Sequence, residues 1–310
     1  MKVKAGVVGV GAIGRNHARV YAELESADLV AIYDANHDHA RALAAEFGTE
    51  AVATLEELVA RVDAASVATP TVTHREVATQ LLSAKKHVLV EKPISDSVDD
   101  AKAMIDLAAE MGCVLQVGHI ERFNPVMSRL EAVLDSPKFI ECHRLSPFPQ
   151  RSLDIGVVLD LMIHDLEIVL HLVNSPIASI DAVGIPVLTR REDIANARIR
   201  FENGCVANIT ASRISPEKMR KIRVFQGDAY LSLDYQDQSG WIYRKDGMAI
   251  AREEVQVEKD EPLKCELAAF IDCAAKGEQP KVSGLQGAAA LDVALEITRM
   301  IEREAAGAEA

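Results

Sequence analysis

The chain has 310 residues and a formal net charge of −13 at neutral pH. That length suits two domains. An acidic balance without a long lysine or arginine run excludes the electrostatic footprint of a nucleic-acid binder. No window is apolar for long enough to span a bilayer. Cys113, Cys142, Cys205, Cys265 and Cys273 are scattered, with no C-x-x-C pair, which points to reduced thiols in a cytoplasmic protein.

The opening "MKVKAGVVGVGAIG" carries the lysines and apolar run of a signal peptide. Glycines interrupt the run, however, and no small-residue cleavage site follows, so it reads as a first strand. Short apolar runs then alternate with amphipathic segments through residue 118. The runs are "VKAGVVGV", "LVAIYD", "AASVAT", "HVLVEK" and "CVLQVGH". This βαβα rhythm predicts a parallel sheet with helices on both faces. Ser97, three residues before Asp100 and ahead of an apolar-periodic run, marks a helix start.

Gly9, Gly11 and Gly14 form G-x-G-x-x-G between the first strand and the first helix, the context in which this pattern binds a dinucleotide. The glycines permit a tight turn and a close approach to pyrophosphate. The helix start at Ala12 and Ile13 supplies amide donors. Asp34 closes the next strand, 20 residues after Gly14, where a carboxylate binds the ribose hydroxyls of NAD and repels the 2′-phosphate of NADP. Arg41 is the residue that could still favour NADP.

The strand "HVLV" runs into Glu91-Lys92-Pro93. A charged pair before a proline is a poor strand end for stability. Pro93 disfavours a helical Lys92, which predicts a lysine held in an extended bend at the carboxyl edge of the sheet, where ligands of such sheets bind.

The pattern changes near residue 120. Helix-like segments at Pro125–Leu134 and Gly156–Val173 precede a strand-rich stretch from Ile177 to about Val257. In it "ARIRFENGCVANITAS" reads as a hairpin around Asn203-Gly204. Two helices, Pro262–Ala275 and Leu285–Glu304, close the chain. On a regular helix over 156–173, Asp160, His164, Glu167 and His171 fall within about 60° of arc, on a surface otherwise apolar apart from Asp165. Asp160 and His164, four residues apart, suit a carboxylate orienting a histidine base. Such a stripe is also compatible with a structural Asp–His pair or with metal ligands. No second cluster completes a metal shell, and no metal is expected.

Taken in order, G-x-G-x-x-G at Gly9–Gly14, "ATPTVTH", "EKP", "GHIERFNP" and the G-x-x-x-D-x-x-x-H of Gly156, Asp160 and His164 resemble the glucose-fructose oxidoreductase / inositol dehydrogenase / MocA family of NAD(P)-dependent oxidoreductases over essentially the whole chain. The resemblance implies an α/β protein with two parts. Residues 1–119 would be an NAD-binding Rossmann domain. Residues 120–310 would bind substrate and form a homodimer or homotetramer through a large open, mainly antiparallel sheet, with the closing helices candidates to pack back on the first domain. It implies Lys92, Asp160 and His164 as catalytic and substrate-contacting residues, with either His164 or Lys92 as the base. Thr69, Pro70, His74, Glu91 and Lys92 would join the glycine loop in holding the cofactor, and Asn124 would touch substrate. Arg122, Arg144 and Arg151 are candidate diphosphate partners. The wording "GHIERFNP…DLMIHDLE" resembles a bacterial branch acting at C3 of UDP-N-acetylglucosamine, a step towards amino-sugar lipid A. An inositol, a free hexose or another nucleotide sugar is the alternative substrate within the same fold. A non-catalytic NAD- or sugar-nucleotide-binding regulator is the alternative of another class, against which the retained Lys92, Asp160 and His164 argue.

Overall fold

A computed structural model describes residues 2–148, 155–227, 229–247 and 249–308. The chain forms two compact units, one comprising Met1–Phe123 with Glu261–Ala288 and the other Asn124–Asp260 with Ala289–Ala310. In chain order the first contains β1 (Val3–Val8), α1 (Ala12–Glu23), β2 (Ala27–Tyr33), α2 (His37–Phe47), α3 (Leu55–Arg61), β3 (Ala64–Val67), α4 (His74–Ser83), β4 (His87–Glu91), α5 (Val98–Met111) and β5 (Leu115–Gly118). The second contains α6 (Pro125–Val133), β6 (Phe139–Leu145), α7 (Ile163–Val173), β7 (Ile177–Ile185), β8 (Ile194–Phe201), β9 (Val206–Ser212), β10 (Met219–Phe225), β11 (Ala229–Asp234), β12 (Ser239–Asp246) and β13 (Ala249–Glu254). Of the closing helices, α8 (Pro262–Lys276) lies in the first unit, and the division falls within α9 (Gly284–Ala308).

The first unit is a five-stranded sheet in the order β2-β1-β3-β4-β5, parallel at every pairing. Its inner strands β3 and β4 are covered on both faces, which explains their nearly continuous apolar runs: every residue of β3 and Val88, Leu89 and Val90 of β4 are buried. Leu267, Phe270 and Ile271 of α8 pack into the same core as Val7, Tyr21 and Leu89. Ser97 caps α5 as its sequence spacing predicts, its hydroxyl accepting from the Asp100 amide at 3.1 Å. The strand order reverses at β1: β2 lies to one side of it, and β3, β4 and β5 follow on the other. In such sheets the crevice at this reversal binds the ligand.

The second unit is an eight-stranded sheet in the order β13-β12-β11-β10-β6-β9-β8-β7, antiparallel except where β6 runs beside β9. One face carries the core, with Ile140, Cys142, Ala197, Ile209, Ile222 and Leu231 packed against Ile163, Leu166 and Val169 of α7. The predicted hairpin is β8–β9, turning through Asn203 and Gly204, and Gly204 has φ of +83°. The segment expected as one regular helix from Gly156 instead opens with a π-helical turn over Val158–Met162 before α7 begins. Periodicity in the sequence cannot separate these, because a single wider turn leaves the apolar pattern almost intact.

The loop before β8 is drawn in by Asp193. Its Oδ2 accepts from the Val187, Leu188 and Thr189 amides at 2.8, 2.6 and 2.9 Å, and its Oδ1 from Arg213 Nε at 2.8 Å. Burial raises the Asp193 pKa, but the amides of Leu188, Thr189 and Val187 and the Arg213 guanidinium outweigh it and leave the carboxyl well below its ordinary value. A carboxyl lowered in this way contributes stability above its unfolded pKa, about 3.9, and loses it as pH falls towards the folded value. Asp193→Ala removes the carboxylate from beside a buried guanidinium. It is expected to destabilise the second unit by about 3–5 kcal/mol in urea unfolding at neutral pH, with the difference from wild type shrinking in acid.

Candidate active site

The loop after β1 is shaped by backbone contact. Gly9 has φ of +87°, a conformation side chains rarely adopt. A Cβ on Gly14 would lie 1.8 Å from the Gly9 carbonyl oxygen, so α1 can start this close to the strand only as glycine. Gly11 is different, since a Cβ there would meet nothing within 4 Å. The amides of the α1 first turn have no side-chain cap and no acidic neighbour. Ala12 and Ile13 are exposed beside them. Asp34 closes β2 and holds the loop: Oδ2 accepts from the Val10 amide and Oδ1 from the Asn36 amide, both at 2.7 Å.

Gly9, Gly11, Asp34, Thr69 and Pro70 line one cavity of about 970 Å³, walled also by Tyr33 and Leu55. An open glycine, uncapped helix amides and a strand-end carboxylate around one cavity fit a dinucleotide, with pyrophosphate at Gly11 and ribose at Asp34.

The loops after β3 and β4 are joined by His74 at the start of α4. Its Nδ1 lies 3.0 Å from the Pro93 carbonyl and its Nε2 2.9 Å from the Thr69 carbonyl. Burial pushes the His74 pKa down, against the opposing pull of these carbonyls, and a neutral ring donates to one of them at a time. Lys92 follows β4, before a cis bond to Pro93. Glu91 accepts from His17 Nε2 at 3.0 Å and from the Lys92 amide at 3.3 Å.

In the second unit, Asp160 sits inside the π-helical turn and His164 at the start of α7, both half-buried. Single π turns in helices occur often at functional sites. Glu192 caps this turn. The Val157 amide donates to its carbonyl at 3.1 Å and the Val158 amide to its Oε1 at 3.3 Å. A Cβ on Gly156 would lie 1.8 Å from that oxygen, so the motif's glycine makes room for the cap. The rest of the expected stripe diverges. Glu167 is buried, whereas His171 is exposed and bonded to Glu131 at 3.1 Å.

Arg144 falls on the core face of β6, where Asp165 accepts from its Nε and Nη2 at 2.8 and 3.1 Å. Strand parity, invisible while the register was unknown, put it there. Asn124 caps α6 and donates to the Tyr235 carbonyl at 2.9 Å. Arg122 is buried in the first unit, and Arg151 lies outside the described residues. Among the described residues no three His, Cys, Asp or Glu side chains gather as metal ligands, and no helix is long and apolar enough to cross a membrane. Two residues were not singled out from sequence. Glu192 left no signal, whereas His17 stands one turn after Gly14 on the buried side of α1.

The glycine loop, the Asp34 strand end and their shared cavity define the first unit as a dinucleotide-binding domain. Comparison with known proteins agrees. Residues 3–119 match a family model described as an oxidoreductase family, NAD-binding Rossmann fold, and residues 130–232 match the GFO/IDH/MocA C-terminal domain. The chain belongs to the GFO/IDH/MocA oxidoreductase family. UDP-N-acetylglucosamine 3-dehydrogenase of Acidithiobacillus ferrooxidans is 37% identical over 307 residues, 97% of each chain. A solved structure of that enzyme superposes with a TM-score of 0.93 at 36% identity, covering 98% of this chain and 99% of the other. The scyllo-inositol 2-dehydrogenase (NAD(+)) of Bacillus subtilis is 25% identical over 321 residues, 96% of this chain and 93% of that one.

The two glycines separate stability from binding. Gly14→Ala is expected to destabilise the first unit by about 1–3 kcal/mol through overpacking. Gly11→Ala is expected to leave thermal unfolding within about 0.5 kcal/mol of wild type but to weaken NADH binding about tenfold or more, because its methyl occupies the pyrophosphate approach. Calorimetry and NADH fluorescence titration check the pair.

Proposed function

We propose that the protein oxidises C3 of UDP-N-acetylglucosamine to a ketone with NAD+ as hydride acceptor, in amino-sugar lipid A biosynthesis. The observation that carries this reading is likeness along the whole length to a UDP-N-acetylglucosamine 3-dehydrogenase in a chain that retains Lys92, Asp160 and His164. An inositol or free hexose is the weaker alternative, because the inositol dehydrogenase is the more distant relative. A silent regulator would have no need of the lysine, aspartate and histidine together.

Gly11, the first amides of α1 and Asp34 would hold NAD+, which would supply the acceptor for the hydride of the carbinol carbon. His164 takes the hydroxyl proton, with Asp160 orienting its ring. Lys92 donates a hydrogen bond to the same oxygen and stabilises the negative charge that develops there. NAD is favoured over NADP by the Asp34 carboxylate, which repels a 2′-phosphate, and by Arg41, whose guanidinium is engaged with Asp38. Arg122 and Arg151 are the proposed diphosphate partners. The bond to Asp165 gives Arg144 a structural role instead, and Asn124 serves as a helix cap.

The same reading implies a cytoplasmic homo-oligomer joined through the outer face of the eight-stranded sheet. An aromatic row across that face supports it: Phe139, Phe225, Tyr230 and Tyr243 stand at successive ring separations of 5.7, 4.5 and 4.9 Å. Half-buried aromatic rows of this kind are common at interfaces.

Nucleotide sugars, inositols and hexoses offered with NAD+ and followed by NADH absorbance test the substrate. UDP-N-acetylglucosamine should be turned over best, and a free polyol active in its place would reject it. Lys92→Met and His164→Ala are each expected to lower kcat by about 10²–10⁴-fold with NADH affinity retained. Full turnover in both would remove their assignment.

A further inference from the structure

The first unit contains a cluster of buried ionisable groups that the reaction does not use directly. His17 and Tyr21 lie one turn apart on α1, and neither is exposed to solvent. His17 Nε2 donates to Glu91 Oε1 at 3.0 Å, and the other oxygen of Glu91 accepts the Lys92 amide at 3.3 Å. A carboxylate only accepts, so the contact fixes the proton of His17 on Nε2. The Glu91 side chain lies across Gly118 of β5. A Cβ at Gly118 would come within 2.9 Å of the carboxyl carbon, so the glycine leaves the acid its place. Glu266 of α8 is fully buried, and neither of its carboxyl oxygens has a hydrogen-bond partner. Burial first, and the nearby charge of Glu91 second, push its pKa well up. A neutral Glu266 spares the cluster a second buried negative charge.

The consequence falls on Lys92. Glu91, immediately before it, is tied to α1 through His17. Pro93, immediately after it, has its carbonyl beside His74 of α4. The lysine is thus set between two residues that are each anchored to a different helix.

We infer that His17 is a positioning residue for the reaction, acting through the Glu91 carboxylate to fix the backbone that presents Lys92. The inference rests on the catalytic role proposed for Lys92. A hydrogen-bond donor at the end of a long side chain stabilises the reacting oxygen only if its base is held, and displacement of a reacting group by about 1 Å can cost about 100-fold in rate.

The test compares wild type with His17→Leu, His17→Gln and Lys92→Met. The leucine fills similar space without a donor, whereas the glutamine amide nitrogen can replace Nε2. Three quantities are measured: amide hydrogen exchange of the peptide over residues 88–96, NADH affinity by fluorescence, and kcat and KM with NAD+ and UDP-N-acetylglucosamine. His17→Leu is expected to exchange faster over 88–96 and to lose about tenfold to hundredfold in kcat, with NADH affinity and KM unchanged within error. His17→Gln should recover most of both losses. Unaltered exchange over 88–96 in His17→Leu, full kcat in that variant, or a His17→Gln no better than it would each overturn the inference. If His17→Leu does not fold, His17→Met, which likewise fills the space without a donor, takes its place with the same expectations, and full kcat there is equally contrary. A Lys92→Met enzyme with wild-type kcat would bring down the lysine assignment and this inference together. An inactive Lys92→Met beside a fully active His17→Leu would remove only the inference.

Discussion

The cofactor-binding half of the molecule depends on one approach of backbone to backbone. Helix α1 begins so near the end of β1 that a single methyl on Gly14 would run into the Gly9 carbonyl. That proximity turns the first helix amides towards the crevice where the strand order of the sheet reverses. It leaves Gly11 as the open floor of the cavity. Asp34 then acts on both sides of the crevice. It ties the Val10 amide and so fixes the loop, while standing where a ribose would lie. The same closeness brings His17, one turn further along α1, to Glu91, so the loop that receives the cofactor and the turn that presents Lys92 share one helix.

The second unit solves a comparable problem with a side chain in place of a missing one. The helix bearing Asp160 and His164 starts in a π-helical turn whose first amides need acceptors, and Glu192 supplies its carbonyl and carboxylate. Asp193, next in sequence, collects three amides and an arginine and so fixes the loop that carries Glu192. Adjacent acids therefore have separate tasks, one closing the loop and the other capping the helix.

Much of this was legible in the sequence, for physical reasons that differ by element. The inner parallel strands read as nearly continuous apolar runs because both their faces are buried. Gly9, Gly14 and Asp34 were legible because their spacing follows from a strand, a tight turn and a helix in fixed geometry. Ser97 and the Asn203-Gly204 turn act locally and so leave local signals. What escaped depends on contacts between residues distant in sequence. The π turn leaves the apolar pattern intact. Arg144 looked like a candidate phosphate ligand until strand register turned it inward to Asp165. Glu192 and His17 owe their roles to partners 34 and 74 residues away.

The central claim is a hydride transfer from C3 of a nucleotide sugar to the nicotinamide of a cofactor whose pyrophosphate is held at the glycine loop. UDP-N-acetylglucosamine carrying deuterium at C3, incubated with the protein and NAD+, followed by mass spectrometry of the reduced cofactor and the sugar, addresses it most directly. The account predicts one deuterium in the reduced nicotinamide and a sugar nucleotide that has lost the label and gained a ketone. NADH formed without deuterium, with the label retained in the sugar, would contradict it.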